Sequence, residues 1–438
     1  MTSAAHVRLL AVKEARALLP IWIGCLVVAV GAPLMQGIVR RVSVPALGFG
    51  VMALGAYSFG HEYVHRTMGL MLTLPVERRR IFLVKMTVLA AMVLPLAGLA
   101  SLQRVFINGT PPSLVAAIAL GLAPAMTMRC RNALAGAMFS IWLSTMLLIA
   151  VLYVVVGRWD PTAEAERDAF AIWTRMMIVV CAGGAVVGWR LFGRLDWNES
   201  AVRIAMPSWI TMRHDSTPGR PMWQLIKKDL RLQRIAFGTA ALYVVASAAE
   251  AMLRLVRPHD LPILPVATIG YWLCLPVLIG SIAIAEERQL GTLSSQLLLP
   301  LPAWKQWAAK AGSVFGLALL LGVAVPVVVL ALLGDGDRAG YLLNVRAATL
   351  TLVLAAVGLY VSSLSSSAVI AVAASFCAIT ASLWLGEAFA QPFARALFQS
   401  PFAVVANTDG VLAVVAVVAV LLVRLAYVNL RDGKPALF

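Results

Sequence analysis

Two polar segments, 225 positions apart and each held between apolar runs of about 20 residues, limit what this 438-residue chain can become. Glu62, Thr67, Leu72, Leu74, Pro75 and Lys85 recur as Glu287, Thr292, Leu297, Leu299, Pro300 and Lys310. A charged stretch between bilayer-length runs sits at a membrane surface, and a stretch repeated in register implies two equivalent halves. Composition agrees. Of all residues 61% are hydrophobic and 13% charged, whereas soluble domains carry roughly a quarter charged residues. The mean hydropathy is +0.88. The expected fold class is an all-α polytopic membrane protein of about twelve transmembrane helices, arranged as two tandem six-helix repeats, each preceded by an amphipathic surface helix.

Taken in order, the stretch 6–19 turns His6, Arg8, Lys13 and Arg16 to one arc and Val7, Leu10, Ala11 and Leu18 to the other, the pattern of a helix lying on a membrane. Spans are expected at 19–39, 44–60, 82–102, 112–128, 133–156 and 170–189, completing a first half over 1–194 with its polar segment at 62–80. A linker at 195–221 follows, marked by Pro207, Pro218, Gly219 and Pro221. In the second half, 222–438, a surface helix sets Trp223, Ile226 and Leu230 against Lys227, Lys228, Arg231 and Arg234. Its Lys228, Asp229 and Arg231 answer Lys13, Glu14 and Arg16 at a spacing of 215. Spans are then expected at 235–249, 263–285, 308–333, 347–364, 368–385 and 411–422, with the second polar segment at 286–305. The stretch 386–410, interrupted by Pro392 and Pro401, reads either as a re-entrant hairpin or as an outer loop.

The net charge of +16 is distributed by side. With both termini and both polar segments on one face, 25 of the 36 Lys and Arg fall there and 11 on the other, as for a chain with cytoplasmic ends in a plasma membrane, the bacterial cytoplasmic membrane being the expected one. The basic excess then meets anionic lipid and a cytoplasmic partner, and nucleic acid is not needed to explain it. The spans carry no ionisable residue near their middle. The deepest, Lys85, Lys310 and Arg175, lie close enough to an end to snorkel. That disfavours proton-coupled transport. Neither GxxxxGK[ST], HExxH nor GxSxG occurs, and the five cysteines form no CxxC pair, so no catalytic residue, bound cofactor or metal is expected.

The acid closing the second span, then Gly291-Thr292-Leu293, a Leu-rich turn over 297–299, Pro300, and Lys310 in the third span resemble the permease subunit of type-two ABC exporters. The resemblance covers nearly the whole chain as two fused halves. It departs at Arg66, where the second copy has Gly291, and at Glu77-Arg78-Arg79, where the second has Pro302-Ala303-Trp304. It implies that each polar segment is a coupling helix docking on a cytoplasmic ATP-binding-cassette ATPase, present in two copies, which holds the ATP and Mg and performs the hydrolysis. The implied partner-binding residues are Glu62, Arg66, Thr67, Leu72, Pro75 and Arg78 in the first segment, and Glu287, Gly291, Thr292, Leu297, Pro300 and Lys305 in the second. The implied function is export of an amphipathic, lipid-like, peptide or drug substrate by a non-enzymatic membrane subunit. A plainer reading makes Thr67 and Thr292 helix N-caps and Pro75 and Pro300 the first residues of the next helices. Two other classes stand beside it, a twelve-span secondary carrier and a non-transport membrane scaffold subunit. Cysteines placed at Ser216 or Gly433 should be shielded from impermeant reagents outside intact cells while one at Thr162 labels; labelling at Gly433 would overturn the orientation.

Overall fold

The computed structural model describes residues 3–31, 37–65, 67–72, 76–103, 111–156, 163–194, 221–256, 263–292, 301–397 and 403–431, and no strand occurs among them. The helices are α1 (Ser3–Gly31), α2 (Gly37–Val64), α3 (Met68–Leu72), α4 (Arg78–Leu102), α5 (Pro112–Cys130), α6 (Ala133–Val156) and α7 (Ala163–Gly193). They continue as α8 (Pro221–Leu232), α9 (Arg234–Val256), α10 (Ile263–Leu290), α11 (Ala303–Leu332), α12 (Gly336–Leu342), α13 (Val345–Leu364), α14 (Ala368–Leu397) and α15 (Ala403–Arg431). The chain is a helical polytopic membrane protein. Among the described residues eight helices are long and apolar enough to cross a bilayer: α1, α4, α5, α7, α9, α10, α11 and α13. That is fewer than the twelve expected; Ala133–Leu148 of α6 and Ala368–Ser382 of α14 are apolar but shorter. Two compact units form, Met1–Ala201 with Ala248–Val266, and Val202–Ser247 with Ala267–Phe438.

Two expected boundaries change. The first surface helix is not separate, since α1 runs unbroken through Pro20 to Gly31. Pro20 removes the hydrogen bond to the Arg16 carbonyl, and both residues are exposed, so the break is on the outer side of the helix and costs no core contact. The second surface helix, α8, does stop, at Gln233, whose Nε2 leaves its own helix to donate to the Ile279 carbonyl at 3.0 Å. The stretch 386–410 adds length to α14 and α15; of it, 398–402 lies outside the described residues, as does most of the linker and all of 195–220.

In the first unit α5 is the central helix, packed against α2, α4, α6 and α7. Its sequence explains this: Ala116, Ala119, Gly121, Ala123 and Ala125 leave little side chain between backbones. A Cβ on Gly121 would meet the Cys181 backbone of α7, and one on Gly55 of α2 the Ala119 carbonyl. Ala56, Ala123 and Ala137 meet where α2, α5 and α6 converge. In the second unit Gly280 of α10, 225 positions after Gly55, stands in the same way against the Ala355 carbonyl of α13.

Helix α11 widens into a π-turn at Leu320–Ala324. In that wider pairing the amide of residue 326 would bond the Leu321 carbonyl, but Pro326 has no N–H. The Tyr271 hydroxyl of α10 donates to that carbonyl instead, at 2.8 Å, while its ring stacks on Tyr243 with centroids 4.1 Å apart. Removing the hydroxyl leaves a buried carbonyl unpaired. Tyr271→Phe is therefore expected to cost about 1–3 kcal/mol and to lower the melting temperature of the purified chain. A variant that melts like the parent would mean that the carbonyl has another partner.

Candidate functional site

The repeated polar residues come together as a buried set of charges. Glu14 on α1, Glu62 near the end of α2 and Lys85 two turns into α4 lie on the inward faces of three packed helices, each no more than 1% exposed. Lys85 Nζ is 2.7 Å from Glu14 Oε1 and 3.4 Å from Glu62 Oε1, and it donates to the Ser58 carbonyl at 3.1 Å. Lys13 reaches in from the surface to Glu62 at 2.8 Å. His61 completes the group, its Nε2 3.2 Å from Glu62 and its Nδ1 3.9 Å from Glu14.

The second unit builds the same arrangement from the matching positions. Lys310 of α11 lies 2.7 Å from Glu287 and 3.3 Å from Asp229 of α8, and donates to the Ala283 carbonyl at 3.0 Å. Lys228 closes on Glu287 at 2.7 Å. Each set is two ammonium groups against two carboxylates, and so neutral, which is the condition under which charges survive burial. Burial raises the Asp229 carboxyl above the ordinary aspartate range; Lys310 opposes the rise and the neighbouring Glu287 adds to it. The sets differ at one place, where Glu286 stands in the position of His61.

Lys85 and Lys310 therefore do not snorkel. Two carboxylates and a carbonyl surround each ammonium, a better environment than the headgroup region offers. Glu14, His61 and Glu62 are close enough to ligate a metal, but the Lys85 ammonium already lies against both carboxylates and fills the cation's place. The set pairs carboxylates with ammonium groups from three elements, an arrangement that fastens helices.

Around this anchor the segment residues divide. Glu62 and Glu287 face inward and are fully buried. Thr67 does not cap α3: its hydroxyl turns back to donate to the Glu62 carboxylate, as the Thr292 hydroxyl does to the Glu287 backbone carbonyl at 3.4 Å. Gly291 adopts φ +71, the left-handed turn that ends α10. Helices α4 and α11 start in register, with N-caps at Glu77 and Pro302, so Pro75 and Pro300 do not occupy the first helical position. Arg78 and Lys305 are exposed. Arg66, Pro75, Leu297 and Pro300, and the side chain of Leu72, lie outside the described residues.

Helix α3 is held from below. Its Met68 and Met71 pack into a cluster with Leu10 of α1, Phe59 of α2, Phe82 of α4, Met128 of α5 and Phe192 of α7. Phe82 touches Trp189 edge-on at 5.2 Å and Phe59 meets Phe192 at 5.7 Å. Helix α3 thereby packs on the ends of five helices. No family model, curated protein or solved structure matches this chain. A buried carboxylate elsewhere, Glu250, lies in α9, six residues before the helix ends at Val256.

The segment's own motif did not disclose the partners of its charges. Lys13, Glu14, Lys228 and Asp229 recur at a spacing of 215 and the segment at 225, and each repeat taken alone looks complete. Their conjunction is the signal: a lysine and an acid in each surface helix, an acid closing each following span and a lysine opening the next form a set with balanced charge. Lys85→Met and Lys310→Met should each destabilise the chain by about 3–5 kcal/mol, because two buried carboxylates lose their cation. Adding Glu14→Gln or Asp229→Asn respectively should recover part of the loss. Denaturant unfolding of single and double variants measures this, and additive losses would show that the groups do not interact.

Proposed function

We propose that this chain is the membrane-spanning permease subunit of an ATP-binding-cassette exporter, with two six-helix halves, twelve spans in all, in one polypeptide. A separate cytoplasmic ATPase, in two copies, supplies the ATP and Mg chemistry. The observation that carries the reading is the paired charge set. The same four kinds of group, at matching positions, fix a surface helix, the end of one span and the start of the next on either side of each polar segment. What is held twice in this way is a short surface segment at a membrane exit, with its ends fastened and residues such as Leu70 and Trp304 turned outward. Such an element receives a push from a soluble partner and passes it into the helix ends beneath it.

In this reading ATP binding draws the two ATPase copies together, moves the segments at 62–80 and 286–305, and changes access to a path for an amphipathic substrate. The fastening residues transmit force and the exposed ones make contact. Glu62 and Glu287 belong to the first group; Leu70, Trp304 and Lys305 belong to the second. A proton-driven carrier would place its titrating group at mid-membrane, and none of the expected spans carries an ionisable residue near its middle.

The purified chain alone is expected neither to bind nor to hydrolyse ATP. Reconstituted with a lone ATP-binding-cassette protein encoded beside it, it should stimulate that protein's ATPase. Leu70→Asp and Trp304→Asp should each remove most of the stimulation with an unchanged melting temperature. Saturable nucleotide binding by the isolated chain, or full stimulation by both variants, would remove the basis of the reading.

A further inference from the structure

At the end of the first unit that carries α3, the start of α4 and the end of α7 form a dense basic edge. Arg78, Arg79 and Arg80 open α4, Arg190 and Arg194 close α7, and all five are exposed. The two helix ends are tied together: Arg78 Nη1 donates to the Gly193 carbonyl at 3.0 Å, and Phe82 packs against both Trp189 and Phe192. Among the described residues, Glu77 is the acid beside these arginines, 3.5 Å from Arg80.

Below each group of arginines runs a lipid-facing stripe. On α4, Leu83 lies one turn after Arg79, and Leu94 lies three turns further on the same face; both are more than half exposed. On α7, Val179 and Val186 lead on the same face to Arg190, and Arg190 to Arg194. Apolar columns ending in guanidinium groups match the two parts of a phospholipid: acyl chains along the columns, and a phosphate at the top. Guanidinium forks suit phosphate oxygens better than ammonium groups do, and all five cations are arginine. The positive end of the α4 dipole points at the same place.

We propose that this α4–α7 edge is a binding site for an anionic glycerophospholipid, its phosphate held by Arg79, Arg190 and Arg194 while Arg78 clamps the two helices. The second unit differs at the matching positions of its helix start. At positions 303–305 it carries Ala303, Trp304 and Lys305, and the one cation lies over the Trp304 ring, 5.5 Å from its centre. The lipid would therefore mark one half of the chain only. The inference does not rest on the ATPase reading, and its test uses the chain alone.

Titration of the purified full-length chain in zwitterionic detergent with dioleoylphosphatidylglycerol, followed by native mass spectrometry, should show a saturable first lipid. Arg79→Gln/Arg190→Gln/Arg194→Gln should weaken it by at least about tenfold, since each basic group near a lipid surface contributes a sizeable part of that factor. Lys227→Gln/Arg231→Gln/Lys305→Gln removes the same charge elsewhere and should leave affinity within about twofold. The single variants Arg79→Gln and Arg190→Gln, read beside their melting temperatures, separate lost affinity from a folding defect. Equal loss in both triple variants, equal binding of dioleoylphosphatidylcholine, or displacement of the lipid by inorganic phosphate at matching concentration would each overturn the proposal.

Discussion

A lysine ammonium shared by two buried carboxylates is the interaction on which the described architecture depends. Taken out of water singly, any of the three groups would be costly; together with a fourth, surface-reaching lysine they sum to zero charge. Neutrality is reached only when the surface helix, the end of the following span and the start of the next are all in place. That makes the ion set a condition on geometry more than a source of net stability. An apolar substitute of equal volume would fill the space without dictating which three elements must meet there.

Much of this could be read from the residues, and the reasons for the remainder are specific. The membrane class follows from the apolar runs, and the importance of Glu62, Lys85, Glu287 and Lys310 follows from their recurrence. Their orientation did not follow. A glutamate between a span and a polar segment reads as a surface group, and only the position of Glu14 and Asp229 on neighbouring helices turns it inward. Burial of Lys85 is likewise a tertiary fact, because a lysine one turn inside a span is equally consistent with snorkelling until its partners are known. Boundaries failed where local signals compete: α1 carries the surface helix straight on through Pro20, on its exposed side, and Pro392 suggested a break inside α14.

The two anchors are equivalent in their ammonium–carboxylate core and different around it. His61 gives the first set a fifth, titratable member that Glu286 replaces with an acid. Thr67 reinforces the carboxylate of its glutamate, whereas the Thr292 hydroxyl donates to the backbone carbonyl of Glu287. The first surface helix is continuous with its span, and the second is jointed at Gln233. Together with Arg78 to Arg80 in the first segment and Trp304 in the second, these differences give the chain two fixed points of one design carrying unlike outer faces.

The π-turn of α11 changes how the rest of that helix is indexed. Across it the buried positions keep a step of four, Lys310, Val314, Ala318, Gly322, Pro326 and Leu330, where a helix of 3.6 residues per turn without the wide turn would drift off that face. An unbroken helical period would have put Val325 and Val328 in the core, and Val328 is more than half exposed. The helix thus contains one residue more than its turns require. Loss of one residue within Leu320–Ala324 would convert the wide turn to an ordinary one and leave both ends facing their present neighbours. This is the point in the span where chain length can change without rotating Lys310 away from its carboxylates.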